Sequence, residues 1–425
     1  MHNMDGRKKI AIVGAGISGL TAAYKLAEHH DVHVFESESR IGGHTATKRV
    51  QIDKRDYLID TGFIVFNDWT YPNFIQLIDE LGVESVPTSM GFSLSCRETG
   101  LEYSGAGLGG LFAQRQNLFN LSHWRMLRDI LRFNRESVEH LELNLITESV
   151  KLGDYLQRHD YSDEFKHYYL IPMASAIWSS GLDEVEQMPL RFFVQFFKNH
   201  GLLSIKNRPQ WRVIKGGSSS YLEPLTRSFS EKIRLKCPVE VIRRNPEGVS
   251  IDSATCQAEQ FDEVVLACHS DQALDILKDA SERERDMLSA IPYCHNEAVL
   301  HWDENLLPDN RRTWSSWNYL LGFHPDKAVL TYNMNILQGI ESEKTFCVTL
   351  NATNAINPDK IWGIYRYSHP EFHPNGIKAQ QQISEHNGTN NTWFCGAWCR
   401  NGFHEDGVAS ALDVVDGIIK SDGGA

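Results

Sequence analysis

The stretch "KKIAIVGAGISGLTAAYKLAEHHDVHVFES", residues 8–37, limits what this chain can fold into more than any other. The apolar run at 10–13 reads as a buried strand. Leu20, Ala23, Tyr24 and Ala27 recur at helical spacing, and residues 31–36 alternate like a second strand. Together they predict a βαβ unit. Gly14, Gly16 and Gly19 form GxGxxG between its first strand and its helix. The first glycine permits the tight turn, the second lets backbone approach a pyrophosphate, and the third allows close helix–strand packing. Glu36 ends the second strand, about 20 residues on. Its carboxylate can accept both hydroxyls of a ribose, and it would repel a 2′-phosphate. Glu36 alone leaves the choice of dinucleotide open.

At 425 residues the chain has room for two or three domains, and 41% hydrophobic residues supply a large core. The net charge of −13 argues against a nucleic-acid partner, because phosphate backbones need a basic surface. The eight cysteines form no CxxC pair, so no metal site is expected, and reduced thiols fit a cytoplasmic protein. The N-terminus shows no apolar segment of the signal-peptide kind before the first strand. No window approaches the roughly 18 apolar residues of a spanning helix. The expected location is therefore cytoplasmic, at most peripheral to the inner face of the membrane.

Further along, residues 108–200 change to helical periodicity with few glycines or prolines. Strand texture returns at "IRLKCPVEVIRRNPEGVSI", with a hairpin expected around residues 245–248. "EVVLACHS" reads as a short buried strand leading into a helix. Residues 293–350 carry strands such as "NEAVLHW" and "AVLTYNMN", and the C-terminal region reads strand, glycine loop, helix.

The segment "ESESRIGGH" adds Arg40, Gly42, Gly43 and His44 directly after Glu36. With "GAGISGLTAAYKLA" it resembles the ExxxRxGG extension of the FAD enzymes in the flavin-containing amine oxidase, phytoene desaturase and protoporphyrinogen oxidase superfamily. The resemblance implies FAD as cofactor, with Arg40, Gly42 and Gly43 along its pyrophosphate and ribityl chain. "DTGF" resembles the segment that passes near the flavin ring, which assigns Thr61 and Gly62 to the cofactor. "CPVEVI" resembles the strand whose Val239 backbone meets the adenine. "GFHEDGVASAL" resembles the C-terminal flavin loop and helix, where Glu405, Asp406, Gly407 and Val408 would offer backbone N–H groups. The implied fold is α/β: a glutathione-reductase-like, FAD-binding Rossmann domain with a second substrate domain of mixed sheet plus a helical insertion. Residues 1–75, 205–280 and 385–425 are assigned to the FAD domain. Residues 76–204 and 281–384 are assigned to the substrate domain.

Flavin dehydrogenation needs a donor C–H held over the flavin and a route for the accompanying proton. Many amine oxidases of the superfamily keep a Lys at the head of a strand resembling "NEAVLHW", where this chain has Asn296 and Glu297. Their amine cage uses a Tyr where this chain has Phe403. Both departures weaken an amine-oxidase reading. Phrases such as "IPMASAIWSS" and "TWSSWNYL" resemble a bacterial amine-oxidase-like subgroup associated with fatty-acid modification. The expected function is FAD-dependent oxidation or desaturation of a hydrophobic substrate, a fatty acyl chain foremost, with an electron acceptor that the residues do not specify. The alternatives are an amine oxidase releasing hydrogen peroxide and a non-catalytic, FAD-stabilised lipid-binding protein. His404 is the candidate for proton transfer. Asn318 or Tyr319 is expected on the substrate face, with Trp317 in strand packing. His44 reads first as a loop histidine, and second as a hydrogen-bonding partner of the cofactor. Phe192, Phe193, Phe196 and Phe197 read as helix core first and as an acyl channel second. "GLGGLFAQRQNLFNLSHW", with Arg115, Arg125 and Arg128 in and beside it, leaves peripheral membrane contact open.

Overall fold

The computed structural model describes residues 7–147, 149–324 and 327–422. Residues 1–6, the part of the N-terminus read above for a leader, lie outside them. One layer is a five-stranded parallel sheet in the order Ile233–Arg234, Asp31–Phe35, Lys9–Val13, Glu263–Leu266, Thr392–Phe394. The central strands Lys9–Val13 and Glu263–Leu266 are largely apolar on both sides because both faces are covered. Ile10, Ile12, Val32, Val34 and Val265 meet the helices Ile17–Leu26 and His404–Asp422. Ala11, Val13, Phe35, Val264 and Leu266 meet an antiparallel sheet of Val239–Asn245, Gly248–Ser253 and Cys256–Phe261. The expected hairpin lies between the first two of those strands, with Asn245 opposite Gly248.

The second layer is a seven-stranded mixed sheet. Its order is Ile361–Pro370, Tyr293–His301, Cys347–Leu350, Leu330–Asn333, Trp317–Leu321, Phe92–Cys96, Glu102–Ser104. Only the pairing of Trp317–Leu321 with Phe92–Cys96 is parallel. A helical region runs from Gly107–Leu111 to Leu190–Asn199 around the long helix Leu121–Glu142. Its core holds Phe133, Phe165, Trp178, Phe193, Phe196 and Phe197, so most of the phenylalanine cluster is helix core. Phe192 is the partly buried member and stacks on Phe372.

Two segments of the chain escape a reading by periodicity. Thr47–Ile52 and Arg55–Asp60 form a hairpin whose tip, Asp53 and Lys54, has positive φ at both residues. Val65–Asn67, Trp211–Ile214 and Ser85–Pro87 form a small sheet linking distant stretches. Helix Pro72–Glu80 crosses residue 75 and buries Phe74, Leu77 and Ile78 against the parallel-sheet core. Helix Pro374–His386 likewise crosses residue 385 and sends Ile383 into the opposite face of that layer.

Candidate functional site

At the end of strand Lys9–Val13 the backbone turns at Gly14, whose φ is +103°. A Cβ there would stand 2.8 Å from the Ala267 carbonyl oxygen. A Cβ on Gly19 would stand 2.0 Å from the Gly14 carbonyl oxygen, so helix Ile17–Leu26 lies hard against the strand end. A Cβ on Gly16 would meet nothing within 4 Å. Gly16 is the N-cap, and no side chain caps the helix, so its first N–H groups remain available to a ligand. Glu36 accepts the N–H groups of Ala15 and Glu38, each at 2.8 Å, and keeps lone pairs for further donors.

The second glycine pair completes this cradle. The Gly42 N–H donates to the Ala15 carbonyl at 2.7 Å, and a Cβ on Gly43 would stand 3.2 Å from the Gly16 Cα. The two loops therefore touch through backbone alone. The Arg40 guanidinium donates to the carbonyls of Ile41, Gly43 and Thr45. These three bonds brace the loop that carries the second glycine pair.

The groove continues into a cavity of about 600 Å³. Its lining includes Glu36, Val239 and Gln272, the glycines Gly14, Gly16, Gly42 and Gly43, and the apolar or aromatic Ile64, Trp178, Trp317 and Tyr332. His44, Gly62, His269 and His369 also face it. A Cβ on Gly62 would stand 2.1 Å from the His44 carbonyl oxygen, so residue 62 must be glycine for these segments to meet. The His44 ring lies 5.1 Å from Tyr367 and 5.3 Å from His369, and His269 stacks on Tyr293 at 4.5 Å. Burial, then the neighbouring histidines and Arg40, push His44 well below its usual range. Burial pushes His369 down to about 4. Both rings are neutral near pH 7. The buried Nε2 of His44 has no hydrogen-bond partner among the described residues, an arrangement that a bound ligand would satisfy. His269 and His369 were missed by the sequence reading. His269 had a signal, since it follows the C-terminal end of a parallel strand, where ligands of open α/β sheets bind.

His404 lines the same cavity at the start of helix His404–Asp422. It stacks on Phe63 at 3.7 Å, and its Nε2 shares a hydrogen bond of 2.7 Å with the Tyr221 hydroxyl, which in turn meets Thr45 Oγ1. Burial pushes His404 down to about 3.

Asn318 and Tyr319 are corrected. The Asn318 amide accepts from Ser93 Oγ and the Ser315 N–H and donates to the carbonyls of Ser315 and Thr331, so it is satisfied inside the sheet. Tyr319 shares the face of Trp317 but lies under helix Ile171–Trp178, against Ser175. Trp317 is the residue of this strand that reaches the cavity.

The side chains of Thr61, Glu405 and Asp406 bond within the protein, which leaves the expected role of the last two to their backbone N–H groups. Thr61 donates to the Ala46 carbonyl and meets the Tyr367 hydroxyl. Glu405 accepts from Asn73 and from the Phe74 N–H, capping helix Pro72–Glu80 from outside. Asp406 accepts from the Phe403 N–H and Asn401, while burial raises it to about 6. Val408 is core, and the helical ladder already starts at the Gly407 N–H, so the Val408 N–H falls inside it. His404, Glu405 and Asp406 keep the N–H groups that precede the ladder. A second cleft of about 1120 Å³, lined by Trp69, Arg191, Phe192, Phe196 and Lys378, shares Tyr71 and Phe403 with the cavity.

The sequence profile of flavin-containing amine oxidoreductases matches residues 17–301. Flavin-containing amine oxidase A of Canis lupus familiaris is 24% identical over 271 residues, covering 61% of this chain and 49% of that protein. The chain spans about half the length of the first curated relatives it matches. Cyclohexylamine oxidase from Brevibacterium oxydans superposes with a TM-score of 0.68 at 16% identity, over 98% of this chain and 99% of that one. A CLA-producing fatty acid isomerase from P. acnes superposes with a TM-score of 0.68 at 14% identity, over 97% of this chain and 99% of that one. These likenesses establish the shared fold. The residues present fit FAD: an open backbone path at Gly16, an uncapped helix start, a carboxylate at Glu36 and an orphaned imidazole nitrogen at His44.

Proposed function

The chain belongs to the flavin-containing amine oxidoreductase family, with FAD as its cofactor, and from that premise we propose that it oxidises or desaturates a hydrophobic substrate, a fatty acyl chain foremost. The observation that carries this reading is the apolar part of the cavity lining. Ile64, Ile177, Trp178, Trp317, Tyr332 and Phe372 supply an apolar, largely aromatic wall. The acidic residues lining the cavity are Glu36 and Asp275, both belonging to the nucleotide-binding layer, so the apolar wall offers no carboxylate to an ammonium. Such a wall selects an alkyl chain by shape and excludes water from it. Asn296, standing where the resemblance places a lysine, is tied to Asn351 and His369.

FAD supplies the hydride acceptor when bound. The chain's own part is to hold the alkyl group against that acceptor and to receive the proton left behind. His404 is assigned that second role. It faces the cavity and, because burial holds it near 3, it would pass the proton on instead of keeping it, through its hydrogen bond to Tyr221 and from there to Thr45. Val239 and the N–H groups of Glu405 and Asp406 are assigned to the cofactor.

The relatives and the aromatic wall favour amine oxidation as the second reading, since aromatic faces also receive amines. Anaerobic mixing of the flavin-loaded protein with fatty acids and with alkyl and aryl amines separates the two. Bleaching of the flavin by fatty acids alone is the expected result. Bleaching by amines alone, with peroxide on readmitting oxygen, would replace this reading with the amine one. Lipid that co-purifies without reducing the flavin would mark a binding protein.

A further inference from the structure

The helical region carries a surface that neither the FAD cradle nor the substrate cavity uses. Within residues 108–124, five large apolar side chains face solvent: Leu108 at 76%, Leu118 at 47%, Phe119 at 89%, Leu121 at 81% and Trp124 at 46% exposure. They come from three consecutive elements: helix Gly107–Leu111, the 3-10 turn Arg115–Phe119 and the first turns of helix Leu121–Glu142. The turn is held rigidly. Asn120 caps the long helix by accepting the Ser122 and His123 N–H groups. Trp124 donates its indole N–H to the Leu118 carbonyl at 2.9 Å and packs its ring 5.1 Å from Phe112. Burying these side chains inside the protein would have been the cheaper arrangement, and a fixed apolar ridge of this kind marks a contact surface.

Charge indicates the partner. Residues 107–128 contain Arg115, Arg125 and Arg128 and no Asp or Glu, in a chain whose net charge is −13. Arg115 is exposed; Arg125 pairs with Glu164 at 3.0 Å and Arg128 with Asp129 at 3.1 Å, and both still keep about half or more of their side chains in solvent, where a lipid phosphate can compete for them. A two-fold contact between copies would set arginines against arginines. An anionic bilayer would receive both the apolar ridge and its basic rim, and Trp124 suits the headgroup boundary. No helix among the described residues is long and apolar enough to cross a membrane, so the contact lies in the interface plane.

We propose that residues 107–128 dock this protein on the surface of an anionic lipid bilayer. The test is flotation of the flavin-loaded chain with phosphatidylcholine vesicles, with and without phosphatidylglycerol. Binding to the anionic vesicles that weakens with salt is expected. The double variant Phe119→Ser/Leu121→Ser should lose about tenfold or more of that binding while keeping its flavin spectrum. Arg115→Glu should weaken binding to anionic vesicles alone. Failure of the parent to float, equal flotation of the double variant, or a concentration-dependent dimer that the variants dissolve in place of vesicle binding would overturn the proposal.

Discussion

At the residue scale, Gly14 and Gly16 are required for different reasons, although the motif treats them alike. Gly14 serves the fold: its φ is +103° and a Cβ would press on the Ala267 carbonyl. Gly16 serves the ligand, because the space beside it is empty of protein. Gly14→Ala is expected to lower stability by about 1–3 kcal/mol through strain. Gly16→Ala should leave the melting of flavin-free protein unchanged and weaken flavin binding by about tenfold or more, since the pyrophosphate path closes. Equal melting losses in both variants would contradict this division. The motif letters disclose neither difference. Arg40 teaches the same lesson from the other side: its place in ExxxRxGG is visible in sequence, but its grip on three carbonyls is visible only in three dimensions.

At the element scale, the strand Trp317–Leu321 shows where alternation stops being informative. It correctly separates Asn318 from its neighbours, but whether a face meets a cavity or a helix depends on what packs over it. Helix Ile171–Trp178 covers Tyr319, whereas Trp317 packs its ring on Tyr332 and lines the cavity. A further long-range device fastens helix Glu282–Ser289 to the antiparallel sheet. Arg244 on strand Val239–Asn245 binds buried Glu284 and also Asp279. Burial by itself would raise Glu284, but the Arg244 guanidinium and the Ser281 N–H outweigh it and hold the carboxyl at about 2. Its folded value is depressed, so its stabilisation is complete above the unfolded carboxyl range and is lost as pH falls toward 2. Arg244→Ala strands that carboxylate and should cost about 3–5 kcal/mol in urea unfolding at pH 7. The loss should shrink on acidification; a loss independent of pH would show that packing alone is responsible.

At the scale of the whole molecule, buried imidazoles set the acid limit. Burial holds His200, His301 and His369 near 4 and His404 near 3. The unfolded chain binds their protons from about pH 6.5 downward, so stability is complete above that value and falls as pH drops. Asp60 and Asp406, raised by burial to about 6, oppose this trend because the folded chain holds their protons longer. Burial also holds His44 well below its usual range, so the depressed imidazoles outnumber the two raised carboxyls and leave a net loss. Urea midpoints are expected to rise from pH 5 to pH 7, and a flat or falling profile would refute the assignment. By itself the sequence determined the local frame: the βαβ start, the GxGxxG turn, Glu36, the second glycine pair, and the strand–loop–helix end. These follow from spacing and from the conformational freedom of glycine, which act between near neighbours. Only the tertiary structure decided which residues face the cavity. His269, His369, Trp178 and Tyr332 come from distant elements and converge with His44 on one cavity, while Asn318 is satisfied inside its sheet. Convergence of that kind depends on how layers pack, and packing partners far apart in the chain leave no period in the sequence to read.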